Sequence, residues 1–252
     1  MTTWIFMRGL TRASGHWGHF VDEFREAMPG STVKALDLPG NGLLNHQRSP
    51  LSVHSMVAHC RAQLVACDVT PPFHLLAMSL GGMVAVAWAQ EHPNEVAGNV
   101  LINTSMRPFS PFYQRLLPAN YVSLLRAILL NASPEAWERT VLRLTSNLGE
   151  SDVLADWLAL HEKNPVSRAN AVRQLIAAAR YRAPTAKPAT PTLLLTSEHD
   201  HLVSVACSRA LARHWQCTLH VHPNAGHDLP LDDPIWVIQQ AERWATGLHT
   251  VD

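Results

Sequence analysis

The strongest chemical signal in the chain is Phe73-His74-Leu75-Leu76-Ala77-Met78-Ser79-Leu80-Gly81-Gly82. It has the form small-x-Ser-x-Gly, set between an apolar run that reads as a strand and a run that reads as a helix. A serine on so sharp a turn sits in a strained backbone conformation with its hydroxyl pushed outward. The positions two before and two after it must be small, because the strand and helix backbones nearly touch there. Gly81 meets that demand fully and Ala77 meets it with one extra methyl. The helix N-terminus beneath Ser79 offers free N–H groups and positive dipole to an oxyanion. The chemistry expected is nucleophilic attack by Ser79 on a carbonyl carbon.

A serine hydroxyl is a poor nucleophile at neutral pH and needs a histidine base, itself held by a carboxylate. The chain has 15 histidines, so residue type alone selects none. Position selects His227. Asn224-Ala225-Gly226-His227-Asp228 is a Gly-containing loop at the C-terminal end of the last predicted strand, where the mouth of a parallel sheet lies. Glu198 and Asp200 both follow the preceding predicted strand, in Ser197-Glu198-His199-Asp200. Asp37 is a third carboxylate to weigh, but Asp-x-Pro-Gly after a strand reads as a turn cap.

These side chains need a scaffold that brings them to one rim. Residues 4–7, 32–38, 73–78 and 96–103 read as strands, and residues 16–28, 52–67 and 80–92 as the helices between them. Trp17, Phe20, Val21 and Phe24 share one face of the first helix. Ser52 reads as the N-cap of the second, with Val53, Met56, Val57, Cys60 and Leu64 on one face. Such alternation implies a parallel sheet with right-handed crossovers and helices on both sides. From residue 107 to 187 no strand pattern appears. Helices are expected near residues 121–130, from 133 onward, near 151–161 and near 166–182, the second capped by Ser133 with Pro134 at its first position. Val172, Leu175, Ile176 and Ala179 form the apolar stripe of the last. Residues 192–196 and 218–222 then read as strands, and 203–213 and 235–248 as helices. The simplest organisation is one α/β core, residues 1–106 and 188–252, carrying a helical cap insertion at 107–187.

The chain resembles the α/β-hydrolase superfamily from Trp4 to about Leu248. The resemblance rests on Leu36-Asp37-Leu38-Pro39-Gly40, the serine turn, Leu101-Ile102-Asn103-Thr104-Ser105, residues 198–203, Ala225-Gly226-His227 and Asp232-Asp233-Pro234, all in the family's order. Within that superfamily it is similar to small capped bacterial carboxylesterases, including the pimeloyl-carrier-protein methyl esterase type. The resemblance implies a Ser79, Asp200, His227 triad, with Asp200 preferred over Glu198. It also implies an oxyanion hole from the backbone N–H groups of Leu80 and Leu10, and no cofactor or metal. Two departures stand out. Arg8-Gly9 replaces the family's usual His-Gly, and Leu80 stands where prolyl aminopeptidases typically carry Trp. The expected activity is hydrolysis of a carboxylic ester or thioester through an acyl-enzyme. A C–C bond hydrolase or lyase using the same triad, and a non-catalytic binder on the same fold, remain alternatives.

Composition narrows the setting. Lys plus Arg is 20 and Asp plus Glu is 20, so no overall basic excess points to nucleic acid. Four cysteines form no C-x-x-C pair, and no basic region precedes the apolar start, so a cytoplasmic protein without a signal peptide is expected. Residues 69–90 contain no Asp, Glu, Lys or Arg, but Pro71-Pro72, Ser79 and Gly81-Gly82 break them up, and no membrane span is expected. His220 and His222 share a strand face without a third ligand at metal spacing, so they read as solvated or core histidines. Residues 107–187 hold nine Arg and two Lys against six acidic residues. A cap of that sign suits steering of an anionic acyl substrate or an acidic acyl carrier protein; the simpler reading is that Arg is this chain's surface base.

Overall fold

The computed structural model describes residues 2–129, 133–148 and 153–249. Six strands, β1 (Thr2–Met7), β2 (Ser31–Leu36), β3 (Phe73–Met78), β4 (Val96–Ile102), β5 (Thr192–Ser197) and β6 (Thr218–His222), pair in the order β2-β1-β3-β4-β5-β6. Every pair is parallel. β3 and β5 are buried along their whole length, as strands covered on both faces must be. The chain order turns back between β1 and β3, and in open parallel sheets the C-terminal end of such a switch point is where ligands bind. Arg8 and Ser79 are the residues that leave β1 and β3 there.

One face of the sheet is covered by α2 (Val53–Val65), α3 (Leu80–Glu91) and α9 (Val205–Trp215), with Val57, Val84 and Leu211 packed on Ile5, Leu75 and Leu194. The other is covered by α1 (Phe20–Ala27) and α11 (Pro234–His249), with Phe20, Phe24 and Val237 packed on Trp4, Phe6 and Leu195. A single helix over 16–28 is not what forms. A 3-10 turn, Ser14–Trp17, ends at Gly18, whose φ of 52° breaks the helical path before α1 begins. Ser52 does precede α2 in extended conformation, but its side chain accepts no hydrogen bond there.

Between β4 and β5 lie α4 (Phe112–Arg115), α5 (Tyr121–Leu129), α6 (Pro134–Thr145), α7 (Val153–Lys163) and α8 (Arg168–Arg180). Among the described residues of this stretch the only strand-like pairing is an isolated bridge between Arg107 and Arg182. The sequence-expected helix ends at Leu130 and Ser151 lie outside the described residues. Ser133 caps α6 through the Ala136 N–H at 3.2 Å. The expected apolar stripe of α8 is not its buried face: Val172 and Leu175 are exposed, whereas Asn170, Ala171, Gln174 and Ala177 are buried. The amide side chains satisfy the loop that follows β2, a partner that periodicity cannot reveal. A short helix, α10 (Leu229–Asp232), follows the His227 loop.

Candidate active site

Ser79 sits at φ 53° and ψ −115°, a region that a non-glycine residue enters only under constraint. Its N–H donates to the Ile102 carbonyl at 3.0 Å, and its carbonyl accepts from the Thr104 hydroxyl at 2.8 Å. The turn is packed as its small residues require. A Cβ on Gly81 would stand 2.5 Å from the Met7 carbonyl oxygen, and one on Gly9 would stand 3.1 Å from Ser79 Cβ. The loop after β1 therefore lies directly against the serine. Among the described residues neither the Leu80 N–H nor the Leu10 N–H donates a hydrogen bond. Both remain available to an incoming oxyanion.

His227 Nδ1 meets Asp200 Oδ2 at 2.7 Å, and both side chains are buried. The other oxygen, Oδ1, accepts the N–H groups of Leu202 and Val203, each at 2.8 Å. An ionised carboxylate only accepts, so the hydrogen resides on Nδ1 and Nε2 keeps its lone pair. Ser79 Oγ makes no hydrogen bond to His227 in this structure. The two residues nevertheless hang on consecutive positions at the end of β4: Ser79 on the Ile102 carbonyl, His227 on Asn103. Such contacts commonly lengthen in unliganded enzymes and tighten around substrate. Glu198 pairs instead with the exposed Arg209 at 2.6 Å, and Asp37 caps the Ser14 and Leu43 N–H groups.

Several side chains outside the predicted site residues hold the histidine loop. Asn103, at φ 43°, donates from Nδ2 to the His227 carbonyl at 2.7 Å, while Oδ1 accepts from the Ser197 N–H at 2.9 Å. It thereby ties the histidine loop to the ends of β4 and β5. His222 Nδ1 accepts the Ala225 N–H at 2.8 Å and its Nε2 faces Asp233, so it holds the same loop. No group of metal-ligand type forms among the described residues. Asp232 receives the Gly226 N–H at 2.6 Å and the Ser146 hydroxyl at 2.5 Å, joining that loop to the end of α6. Arg8, the departure from His-Gly, is 2% exposed and forks onto Asp228 at 2.5 and 2.9 Å, with its guanidinium over Trp17. Arg8 stands out as a departure from His-Gly, and Asn103, Asp232 and Asp233 lie in stretches that carry the family resemblance, but those stretches do not reveal which groups the side chains reach.

A family model described as serine aminopeptidase, S33, matches residues 2–234. The chain belongs to this family. It is thus a hydrolase of the α/β-hydrolase superfamily, and six parallel strands with flanking helices are the expected architecture. It is 30% identical over 243 residues to a Variovorax paradoxus protein named as a carbamate hydrolase, RutD, covering 88% of this chain and 84% of that one. A pimeloyl-[acyl-carrier protein] methyl ester esterase of Chromobacterium violaceum is 33% identical over a shorter stretch of 92 residues, 36% of this chain and 34% of that one. A thermophilic esterase from Thermogutta terrifontis superposes with a TM-score of 0.78 over 99% of this chain and 91% of that one, at 20% identity. That likeness shows a shared fold. No helix among the described residues of this α/β-hydrolase is long and apolar enough to cross a membrane.

Proposed function

We propose that this hydrolase cleaves a carboxylic ester or thioester through an acyl-enzyme carried on Ser79. The observation that carries the reading is that a serine in a strained backbone conformation at the end of β3 and a buried His227–Asp200 couple both hang on the end of β4. His227 Nε2 takes the proton as Ser79 Oγ attacks the carbonyl carbon. The Leu80 and Leu10 N–H groups receive the developing oxyanion, and Asp200 stabilises the imidazolium. His227 then protonates the leaving alcohol or thiol, and in the second half activates water to release the acid. Residues 107–187 act as a cap that shapes the acyl site.

Turnover of p-nitrophenyl butyrate by the parent, with kcat lower by about 10⁶ in Ser79→Ala and in His227→Ala, is the expected result. Parent-like turnover by Ser79→Ala would sink the reading. The same steps serve an amine leaving group, and the likeness to a protein named as a carbamate hydrolase makes a carbamate the first addition to the ester panel. Labelling of Ser79 by a fluorophosphonate without turnover of any ester, thioester or carbamate would move the assignment to C–C bond cleavage.

A second observation bears on the partner. Arg107 and Arg182, exposed and joined by a backbone bridge, stand where the cap begins and ends, and the exposed Arg180 lies two residues before Arg182 in the sequence. An acidic acyl carrier protein is the macromolecule such a patch would hold. Binding that weakens steeply between 50 and 300 mM salt, on the order of the change expected for exposed charges, tests it.

A further inference from the structure

The turn that follows β1 is gripped from the cap. The Gly9 carbonyl accepts the Arg12 N–H at 3.3 Å, closing a turn whose third residue, Thr11, has φ 59°. Turns of this kind ordinarily place Gly or Asn there, and a β-branched residue adopts that conformation only when its surroundings impose it. The constraint comes from Gln174 of α8, which is 0% exposed. Its Oε1 accepts the Thr11 N–H at 2.8 Å, and its Nε2 donates to Asn41 Oδ1 at 2.7 Å and to Ser49 Oγ at 3.1 Å. Asn41 Nδ2 in turn donates to the Arg12 carbonyl at 3.0 Å. One buried amide thus fixes both the entry and, through Asn41, the exit of the segment immediately after Leu10.

The Thr11 N–H belongs to the peptide unit that follows Leu10, so holding it sets the ψ of Leu10. Gly9, pressed against Ser79, sets the other side. The Leu10 N–H is left unbonded between two fixed neighbours. The neighbouring Arg12 side chain is held by the cap as well, on Glu138 of α6 at 2.5 Å and over the Trp157 ring of α7 at 4.1 Å. Burying Gln174 and Asn170 while Val172 and Leu175 face solvent is a poor use of α8 for core burial alone. Asn170 serves the docking of the helix: its partners, the Ser49 N–H and the Gln47 carbonyl, both lie in the loop after β2.

We propose that Gln174 is a positioning residue for the hydrolytic site, aiming the Leu10 N–H at the oxyanion, so that docking of the cap completes the oxyanion hole. This rests on the acyl-enzyme reading given above. The test compares Gln174→Met, which removes the amide at similar volume, with Asn170→Ala, which loosens the same helix without touching residues 9–12. Kinetics on p-nitrophenyl butyrate are combined with inhibition by a trifluoromethyl ketone. Addition of Ser79 Oγ to that ketone forms a C–O bond, sends the serine proton to His227 and leaves the oxyanion in the hole.

In Gln174→Met, kcat should fall roughly 10- to 100-fold with KM changed less than about 2-fold, and Ki for the ketone should rise by the same factor as kcat falls. Asn170→Ala should leave kcat and Ki within about 2-fold of the parent. Should Gln174→Met not fold, Asn41→Ser, which frees the Arg12 carbonyl and leaves Gln174 Nε2 with Ser49 Oγ as its acceptor, is expected to lower kcat about 5-fold with the same parallel in Ki. Equal losses in Gln174→Met and Asn170→Ala, or parent-like kcat and Ki in the Gln174 variant, overturn the proposal while inactive Ser79→Ala keeps the acyl-enzyme reading intact. Active Ser79→Ala overturns both.

Discussion

Arg8 lies in the core with Asp228 as its ionic partner. Removing one member of such a pair strands the other charge, whereas removing both replaces a costly desolvation by packing. Arg8→Met is therefore expected to destabilise the fold by about 3–5 kcal/mol in urea unfolding, and Arg8→Met/Asp228→Asn by distinctly less. A double variant as unstable as the sum of the singles would show the pair contributes no coupling. Asp200 tests a different property. In Asp200→Asn, Oδ1 can still accept from Leu202 and Val203, but the amide nitrogen then faces His227 Nδ1 and drives the hydrogen to Nε2. The lone pair that should take the serine proton is lost, and kcat should fall by about 10⁴ with little change in thermal stability.

At the scale of elements, the β3–turn–α3 unit is where local sequence and tertiary demand coincide. Its strand is a continuous apolar run, and its helix begins at the serine with Gly81 beneath the β1 carbonyls. Gly81→Ala forces a methyl onto the backbone oxygens of Met7 and Arg8, which cannot swing aside as a side chain would. A loss of at least about 1–3 kcal/mol in unfolding free energy is expected, together with lower activity, because β1 leads into the turn bearing Leu10. This unit was legible for the same reason that it is rigid. The α8 helix was legible in extent but not in face, because its buried amides answer backbone groups some 120–160 residues away in sequence. The break at Gly18 was missed because one glycine inside an apolar periodicity does not announce a positive φ. Asp200 and His227 were picked out by their places after β5 and β6, whereas the stretch that holds Asn103 gives no sign that its amide joins those places.

Across the whole molecule, the contact between cap and core carries a titratable group. His16 accepts from Arg12 at Nε2 and packs on Trp157; burial, reinforced by the Arg12 charge, lowers its pKa from 6.5 to about 2. The folded protein refuses a proton that the unfolded chain takes up below pH 6.5. This contribution to stability is therefore complete above that pH and declines by about 1.4 kcal/mol per pH unit as pH falls toward 2. Urea midpoints at pH 7, 5.5 and 4.5 should show the parent losing ground to His16→Gln in that window; parallel curves would dismiss the effect. The bridge between Arg107 and Arg182, with the Ala183 N–H on the Arg107 carbonyl at 2.8 Å, returns the chain to where it left the core. The proposed cap is in that sense a cassette, clipped shut at its neck. Grafting the equivalent stretch of a relative at this neck should preserve the sheet, but a graft lacking counterparts of Glu138 and Gln174 would arrive without the keys that fit Arg12 and Thr11.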